Sequence, residues 1–322
     1  MSVLVTGGAG YIGSHIVRML QEDNDVVVVD NFSTGDARRL ADTPVRRIDL
    51  ASEHAVRELC AVMREFNVDA VIHMAALKQV GESVEQPIRY YRENMSSLAT
   101  VLEAMTAESV PSLVFSSSAA VYGSPQSSLV SEDEPTAPVN PYGASKLAGE
   151  WLVKDVAQAS SIRAVSLRYF NVAGAGEPAL ADTIPANLVT LAIEAVVSGR
   201  EPQIYGDDYD TPDGTGVRDY VHVNDLASAH IAAIDFTRRT TDSHTVFNVG
   251  TGTGASVREV LAHLSEVSGN TAVPRVVSRR AGDPASVVAD SRRITAQLGW
   301  SPQYSIKEMV ESAWNARVSP PV

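Results

Sequence analysis

The run NPYGASKLAGEWL places Tyr142 and Lys146 four residues apart. On a helix that spacing projects both side chains from one face. One reading is an ordinary helix with a buried tyrosine and a solvated lysine. The other is an acid/base pair. A free phenol titrates near ~10 and is a poor base at neutral pH. A close ammonium stabilises the phenolate and brings its proton affinity towards the working pH, where proton transfer is efficient. Just upstream, FSSSAAVYG sets Ser116, Ser117 and Ser118 at the end of an apolar run. A hydroxyl there can hydrogen-bond an oxygen that gains or loses a proton. Three small residues beside close-packed elements would look the same.

The elements that would position these groups alternate between strand and helix. SVLVT (2–6), DVVVVD (25–30), VRRIDL (45–50), DAVIHMA (69–75), SLVFSSS (112–118) and RAVSLRYFN (163–171) read as strands. Their near-continuous apolar character fits strands covered on both faces. Helical patterns fall at 12–22, 53–66, within 85–108, and from Pro141 onward. Asn140 is the expected N-cap of that last helix, with Pro141 in the first helical position. This alternation predicts an α/β fold of Rossmann type, a doubly wound parallel sheet, with a smaller mixed α/β lobe after it. In such sheets the ligand crevice lies at the carboxyl ends of the strands.

The first strand-to-helix turn is VLVTGGAGYIGSH. Gly7 permits the tight turn, Gly10 lets backbone approach a pyrophosphate, and Gly13 lets helix and strand pack closely. Read as Gly8-x-Gly10-x-x-Gly13, the turn also fits the better-known dinucleotide fingerprint. The helix N-terminus adds free N–H groups and a positive dipole end. Asp30 closes the second strand. A carboxylate there accepts from a ribose 2′-hydroxyl and repels a 2′-phosphate, so NAD is expected rather than NADP. The positive nicotinamide ring would then add to the stabilisation of a Tyr142 phenolate.

The chain has 322 residues, 44% of them hydrophobic, and a net charge of −13. That excludes general affinity for nucleic acid or anionic membrane, which needs a basic surface. Cys60 is the single cysteine, so no internal disulfide forms, and its apolar helical context reads as core. No run reaches the ~18 apolar residues of a membrane span. No basic segment precedes the first strand, so no signal peptide is expected. A cytoplasmic protein with no metal site fits these features. After about residue 171 the rhythm breaks into Gly-, Pro- and Asp-rich loops. The expected division is residues 1–171 for the dinucleotide and 172–322 for the substrate. HTVFNVG (244–250) is expected to return to the central sheet.

TGGAGYIGSH, VDNFS, VIHMAALKQVGES, SSSAAVYG, NPYGASK, LRYFNVAGA, DGTGVRDYVHVNDLA, FNVGTG and RRAGDPA follow one another from residue 6 to about 290. In this order they resemble the extended short-chain dehydrogenase/reductase superfamily, and within it the UDP-glucose/UDP-galactose 4-epimerase family. The resemblance implies that Tyr142 is the acid/base, Lys146 its support, and Ser118 the hydroxyl partner. It implies NAD contacts from Tyr11 and Ile12 and from the loop Asp30, Asn31, Phe32, Ser33, Thr34 and Gly35. Asp49 and Leu50 would lie near the adenine, and Met74, Ala75, Ala76, Leu77, Lys78, Asn94 and Phe170 would complete the set. For the UDP-sugar it implies Asn171, Asn187 and Leu188, then Gln203, Ile204 and Tyr205. Arg218 and Arg280 would clamp the diphosphate, a task suited to bidentate guanidinium, with Asp283 on the ribose. A surface ion pair is the plainer reading of each arginine. The resemblance also implies a homodimer through the helices within 85–108 and 142–158.

Three departures refine the expectation. Ala119 and Ala120 follow Ser118 where nucleotide-sugar dehydratases of the superfamily carry an Asp-Glu pair, which argues against dehydration. Val172-Ala173 stands where similar family members often have Pro-Val. Val287 occupies a gate position that is a bulky tyrosine in some relatives, which would leave room for an N-acetyl group. The expected activity is therefore C4 epimerisation of a UDP-hexose through a transient 4-keto sugar. The alternatives are a UDP-N-acetylhexosamine or UDP-pentose 4-epimerase, a 4-reductase that releases NADH, or a non-catalytic NAD-binding scaffold.

Overall fold

A computed structural model describes residues 1–280 and 283–319. In chain order the first elements are β1 (Ser2–Thr6), α1 (Tyr11–Leu20), β2 (Asp25–Asp30), β3 (Val45–Arg47), α2 (Ala55–Glu65) and β4 (Ala70–His73). Next come α3 (Val80–Glu85), α4 (Pro87–Ala107), β5 (Ser112–Ser116), β6 (Leu129–Val130), α5 (Pro141–Ala159) and β7 (Arg163–Tyr169). The second half adds β8 (Asn171–Ala173), α6 (Leu188–Val197), β9 (Gln203–Tyr205), β10 (Val217–His222), α7 (Val223–Arg239) and β11 (His244–Val249). The chain closes with β12 (Gly254–Ser256), α8 (Val257–Ser268), β13 (Arg275–Val277), β14 (Ser286–Ala289), α9 (Arg292–Leu298) and α10 (Ile306–Val318). Strands 45–50, 69–75 and 112–118 are shorter than the sequence suggests. Each ladder ends two or three residues before the run read from the sequence does, and the remaining residues begin the following loop.

These elements form two compact units. The first comprises Met1–Gly123, Thr136–Arg168 and Ala227–Phe247, and the second Ser124–Pro135, Tyr169–Leu226 and Asn248–Val322. The division is less contiguous than the expected boundary at 171. Residues 124–135 go with the second unit because β6 pairs with β14, and residues 227–247 go with the first.

The first unit is built on a seven-stranded sheet ordered β11-β7-β5-β4-β1-β2-β3, a Rossmann-type doubly wound α/β fold. β1 pairs in parallel with both β2 and β4, so the order reverses beside β1. In open α/β sheets a reversal of this kind marks the carboxyl ends of the strands beside it, here β1 and β4, as the place for a ligand. The Val-rich strands are buried throughout because helices cover both faces. One core layer joins Leu4, Val27, Leu59, Met63, Leu98, Val101, Leu113 and Phe115. Cys60 belongs to it, and burial pushes its thiol up, away from the reactive thiolate. Among the described residues no helix is long and apolar enough to cross a membrane.

The second unit holds a sheet ordered β12-β10-β14-β6, with β8 also on β10, and a separate β13-β9 pair. Its core packs Val189, Ile193, Leu261, Leu264, Met309 and Val310 from α6, α8 and α10. Ser256 with Glu259 and Ser305 with Glu308 form reciprocal caps that start α8 and α10. At its centre the buried Asp219 carboxylate accepts from Thr251 N and Oγ1 at 2.8 Å, Gly252 N at 2.9 Å and Ala289 N at 3.0 Å. Gly250 sits so close that a Cβ there would meet Asp219 Oδ2 at 2.6 Å. An amide at position 219 has one oxygen in place of two and strands some of these donors, at ~1–3 kcal/mol each. Asp219→Asn should therefore lower stability by roughly 2–4 kcal/mol in urea titration; an unchanged midpoint would remove Asp219 as the staple of this unit.

Candidate active site

In the first unit the glycine turn has the shape a dinucleotide requires. Gly7 has φ of +70°, and a Cβ on it would lie 2.8 Å from Ala75 N. A Cβ on Gly13 would meet Gly7 O at 2.3 Å, whereas one on Gly10 would meet only Gly7 O, at 3.3 Å. Gly7 and Gly13 thus bring β1, α1 and the post-β4 loop together, and Gly10 keeps one side of the turn clear. The Asp30 carboxylate accepts from Ala9 N at 3.0 Å and Phe32 N at 2.8 Å. Asp36 N in turn donates to Ala9 O at 3.0 Å. The loop after β2 therefore grips the glycine turn on both sides of Ala9. Phe32 adopts a left-handed φ of 58°, a costly conformation that the Asp30 bond holds in place. A carboxylate offers about four lone-pair sites, so Asp30 keeps acceptor capacity for ribose hydroxyls.

The loop after β4 is fixed from below. Thr6 Oγ1 lies 3.2 Å from Met74 N, 3.3 Å from Ala75 N and 2.8 Å from His73 Nδ1. Met74 N also donates to Thr6 O at 3.1 Å, so the backbone and the hydroxyl of Thr6 together hold the start of this loop. Burial, and then Lys146, push His73 down to about 3. Asn94, buried on α4, brackets Leu77: its Oδ1 accepts from Leu77 N at 2.8 Å and its Nδ2 donates to Leu77 O at 3.1 Å. The other amide hydrogen reaches Ser145 Oγ at 3.0 Å. Both amide protons are thus spent inside the protein. Asn94, expected among the cofactor contacts, clamps the loop that carries the other expected contacts Met74 to Lys78.

The acid/base candidates meet at the start of α5. Asn140 Oδ1 caps it by accepting from Gly143 N at 2.8 Å, and Pro141 takes the first turn. A Cβ on Gly143 would meet Ala120 O at 2.5 Å. Glycine after the tyrosine therefore lets the helix approach the turn carrying Ser118. Ser118 Oγ accepts from Ala120 N at 3.1 Å and hydrogen-bonds Tyr142. Lys146 Nζ donates to Ser116 O at 2.7 Å and lies 5.1 Å over the Phe115 ring. Tyr142, Lys146 and Ser118 are all buried. Burial pushes the Tyr142 phenol up, and the Ser118 bond only partly opposes it. The same burial pushes Lys146 down to about 8, against the pull of Glu150. The protein alone thus leaves Tyr142 above its ordinary range, where the sequence suggested lowering. Desolvation outweighs a lysine that bonds a carbonyl and not the phenol.

The second unit contains a cleft of about 880 Å³. Asn171, Asn187, Leu188, Gln203, Tyr205, Arg218, Arg280 and Asp283 all line it. Arg280 stacks 4.1 Å from the Tyr205 ring centre, and Tyr205 Oη donates to Gln203 at 3.0 Å. Asn187 caps α6 through Thr190 N at 3.0 Å, so a positive helix end faces the cleft. Arg218 is paired with Asp283 at 2.5 Å. Ile204 and Val287 are not among the lining residues. Ile204 is buried in the apolar core, and Val287 sits on β14 opposite Arg218. Arg275 does line the cleft and was missed, because nothing in RVV separates it from a surface arginine.

The chain matches the NAD dependent epimerase/dehydratase family over residues 3–250. It belongs to that family. It is 46% identical to a UDP-glucose 4-epimerase of Azospirillum brasilense, over 94% of this chain and 87% of that protein. The crystal structure of the Stenotrophomonas maltophila UDP-glucose-4-epimerase with bound NAD and formylated UDP-arabinopyranose superposes with a TM-score of 0.92, at 39% identity and covering 98% of each chain. The Bifidobacterium longum UDP-glucose 4-epimerase in complex with NAD+ and UDP gives 0.88 at 41% identity, covering 99% of each.

For this epimerase/dehydratase-family chain the remaining expected positions lie where loops leave the sheets. Tyr11 and Ile12 open α1, Asp49 is exposed after β3, Leu50 O accepts from Thr100 Oγ1 at 2.8 Å, and Lys78 is exposed beyond Leu77. Phe170 is buried, with its N–H on Val249 O at 3.1 Å. His73 titrates near 6.5 when unfolded but only near 3 when folded, so its contribution is present above about 6.5 and lost as pH falls. Thermal midpoints should drop between about pH 6.5 and pH 4, and His73→Gln should make that decline shallower. Parallel declines would mean His73 is not the titrating group.

Proposed function

We propose that the protein is an NAD-dependent 4-epimerase of UDP-hexoses, interconverting UDP-galactose and UDP-glucose. The observation that carries this reading is the buried Ser118–Tyr142–Lys146 constellation beside an open glycine turn and an Asp30 with spare acceptor capacity. The turn and the Asp30 loop fit NAD: a free side at Gly10, a helix end for the phosphates and a carboxylate for the ribose. Bound NAD supplies the acceptor, and then the donor, of one hydride.

Tyr142 takes the proton of the sugar 4-hydroxyl as C4 becomes a ketone, and returns it when the opposite face is reduced. Ser118 holds the same oxygen. Lys146 keeps a positive charge one helical turn from the phenol, which favours the phenolate. The UDP moiety is assigned to the cleft of the second unit, with Arg218 and Arg280 on the diphosphate and Asp283 on the ribose. The Arg218–Asp283 pair opens when phosphate oxygens replace the carboxylate. Binding energy from the nucleotide, which does not react, retains the keto intermediate while the hexose turns. No net redox change occurs, so NAD is not consumed.

Incubation with UDP-galactose and no added NAD should yield UDP-glucose. Tyr142→Phe should lower kcat by about two orders of magnitude or more, the scale of a lost acid/base, with UDP affinity kept. Near-normal turnover by that variant, or release of stoichiometric NADH by the parent, would refute the assignment.

The same reading includes a homodimer. Its support is an apolar outer face on α3, α4 and α5, where Ile88 is 72% and Trp151 60% exposed, with Val84 and Tyr91 alongside. Such a face on packed helices marks an association surface. Sedimentation should give a dimer for the parent and a monomer for Ile88→Glu combined with Trp151→Glu. A monomeric parent would remove this part of the reading.

A further inference from the structure

Glu150 lies one helical turn beyond Lys146 and two beyond Tyr142 on α5, and is 3% exposed. It accepts from the Ser117 hydroxyl. Arg168 on β7, also buried, donates to it from Nε at 2.9 Å and Nη2 at 2.6 Å. The same guanidinium donates to Tyr122 Oη at 3.0 Å. Ser117 is the middle residue of the triplet. The carbonyl of Ser116 holds Lys146, and the hydroxyl of Ser118 holds Tyr142. One carboxylate therefore fastens the segment that carries both partners of the acid/base pair, and sets a negative charge beside the ammonium.

The other titratable or charged groups around this pair come from each neighbouring element. They are His73 of β4, Arg168 of β7, His244 of β11, His230 of α7 and Tyr122 of the turn after Ser118. His230 meets the Ser116 hydroxyl at 2.7 Å. Burial pushes His73 to about 3 and His244 to about 4, so both are neutral near pH 7. Of these groups Glu150 alone carries negative charge.

A buried phenol and a buried ammonium one helical turn apart compete to lose the first proton. The first proton lost leaves either phenolate with ammonium or phenol with amine. Only the first product can act as the base assigned above. Burial favours the second, because it carries no charge. We propose that Glu150, held by Arg168, is a positioning residue that favours the ammonium form of Lys146 and so raises the share of the first proton loss that comes from Tyr142. This rests on the reading of Tyr142 as the acid/base.

The test is an ultraviolet titration of phenolate in the purified NAD-bound protein, with Tyr142→Phe as the blank for the remaining tyrosines. The parent should show a phenolate step at the pH where kcat rises. Glu150→Gln should reduce the phenolate amplitude of that step at least ~10-fold, the effect of losing an adjacent opposite charge. Its kcat should fall in the same proportion, with KM changed less than about twofold. Glu150→Asp should restore part of both. Glu150→Gln combined with Arg168→Met avoids a stranded guanidinium and should give a smaller loss of the same kind, because the opposing positive charge leaves with the carboxylate. Parental phenolate amplitude in either folded variant overturns the proposal. So does a kcat loss that is equal at every pH with the phenolate step intact. A parent that epimerises no UDP-sugar sinks the underlying reading instead, and leaves the titration to judge Glu150 independently.

Discussion

A cation removed from water must be held by something, and in the first unit that cation is Lys146. Among the described residues no carboxylate bonds it. Its partners are one carbonyl, the face of Phe115 and an anion a helical turn away. Each partner belongs to the interior strand β5 or to the helix α5 that packs upon it. Gly149 lets α5 settle on the Phe115 ring, and Gly143 lets its first turn reach Ala120. The sheet, the glycines and the Glu150–Arg168 pair thus serve one electrostatic end. They keep a charge in a dry place where a phenol can feel it. An ammonium is worth far more there than it would be in water.

The second unit solves a different problem with the same means. Its strands are short and its loops long, so local propensity alone does not hold it. Three buried or half-buried carboxylates do so instead. Asp213 accepts from Thr215 N and from Ser256 Oγ, Asp219 gathers the turn after β11 onto β10, and Asp225 accepts from Gln303 N and Tyr304 N. His222 stacks on Tyr304 with centroids 4.1 Å apart. Arg218 sits within this frame. Much of the run GTGVRDYVHVND, one of the motifs that carry the family resemblance, is therefore the mounting for one arginine.

Much of the first unit was legible because its signals are local. Val-rich strands, the glycine turn and the Asn140–Pro141 helix start each declare themselves within a few residues, and each forms as read. Ser118, Tyr142 and Lys146 could be brought together on paper because the strand end and the helix start lie close in sequence. What stayed hidden depends on distant pairing. That Asn94 brackets Leu77, 17 residues away in sequence, shows in no local pattern. Glu150 repeats the four-residue step from Tyr142 and Lys146, a signal that was present, but its meaning needs Arg168 and Ser117. The side chain of Ile204 turns into the core while Gln203 and Tyr205 beside it face outward, the period of two on a three-residue strand. No local pattern could assign residues 124–135 to the second unit, since β6 finds its partner at Val288 and Ala289.

The chain passes from one unit to the other after Gly123, Pro135, Arg168, Leu226 and Phe247. On the ribosome, therefore, the first unit cannot complete its sheet when its sixth strand emerges. The edge position beside β7 waits for β11, which is made only after most of the second unit's first half. Until then β7 presents an open ladder, the kind of edge that recruits stray strands. The two halves must mature together, and no single cut in the polypeptide would release either one whole.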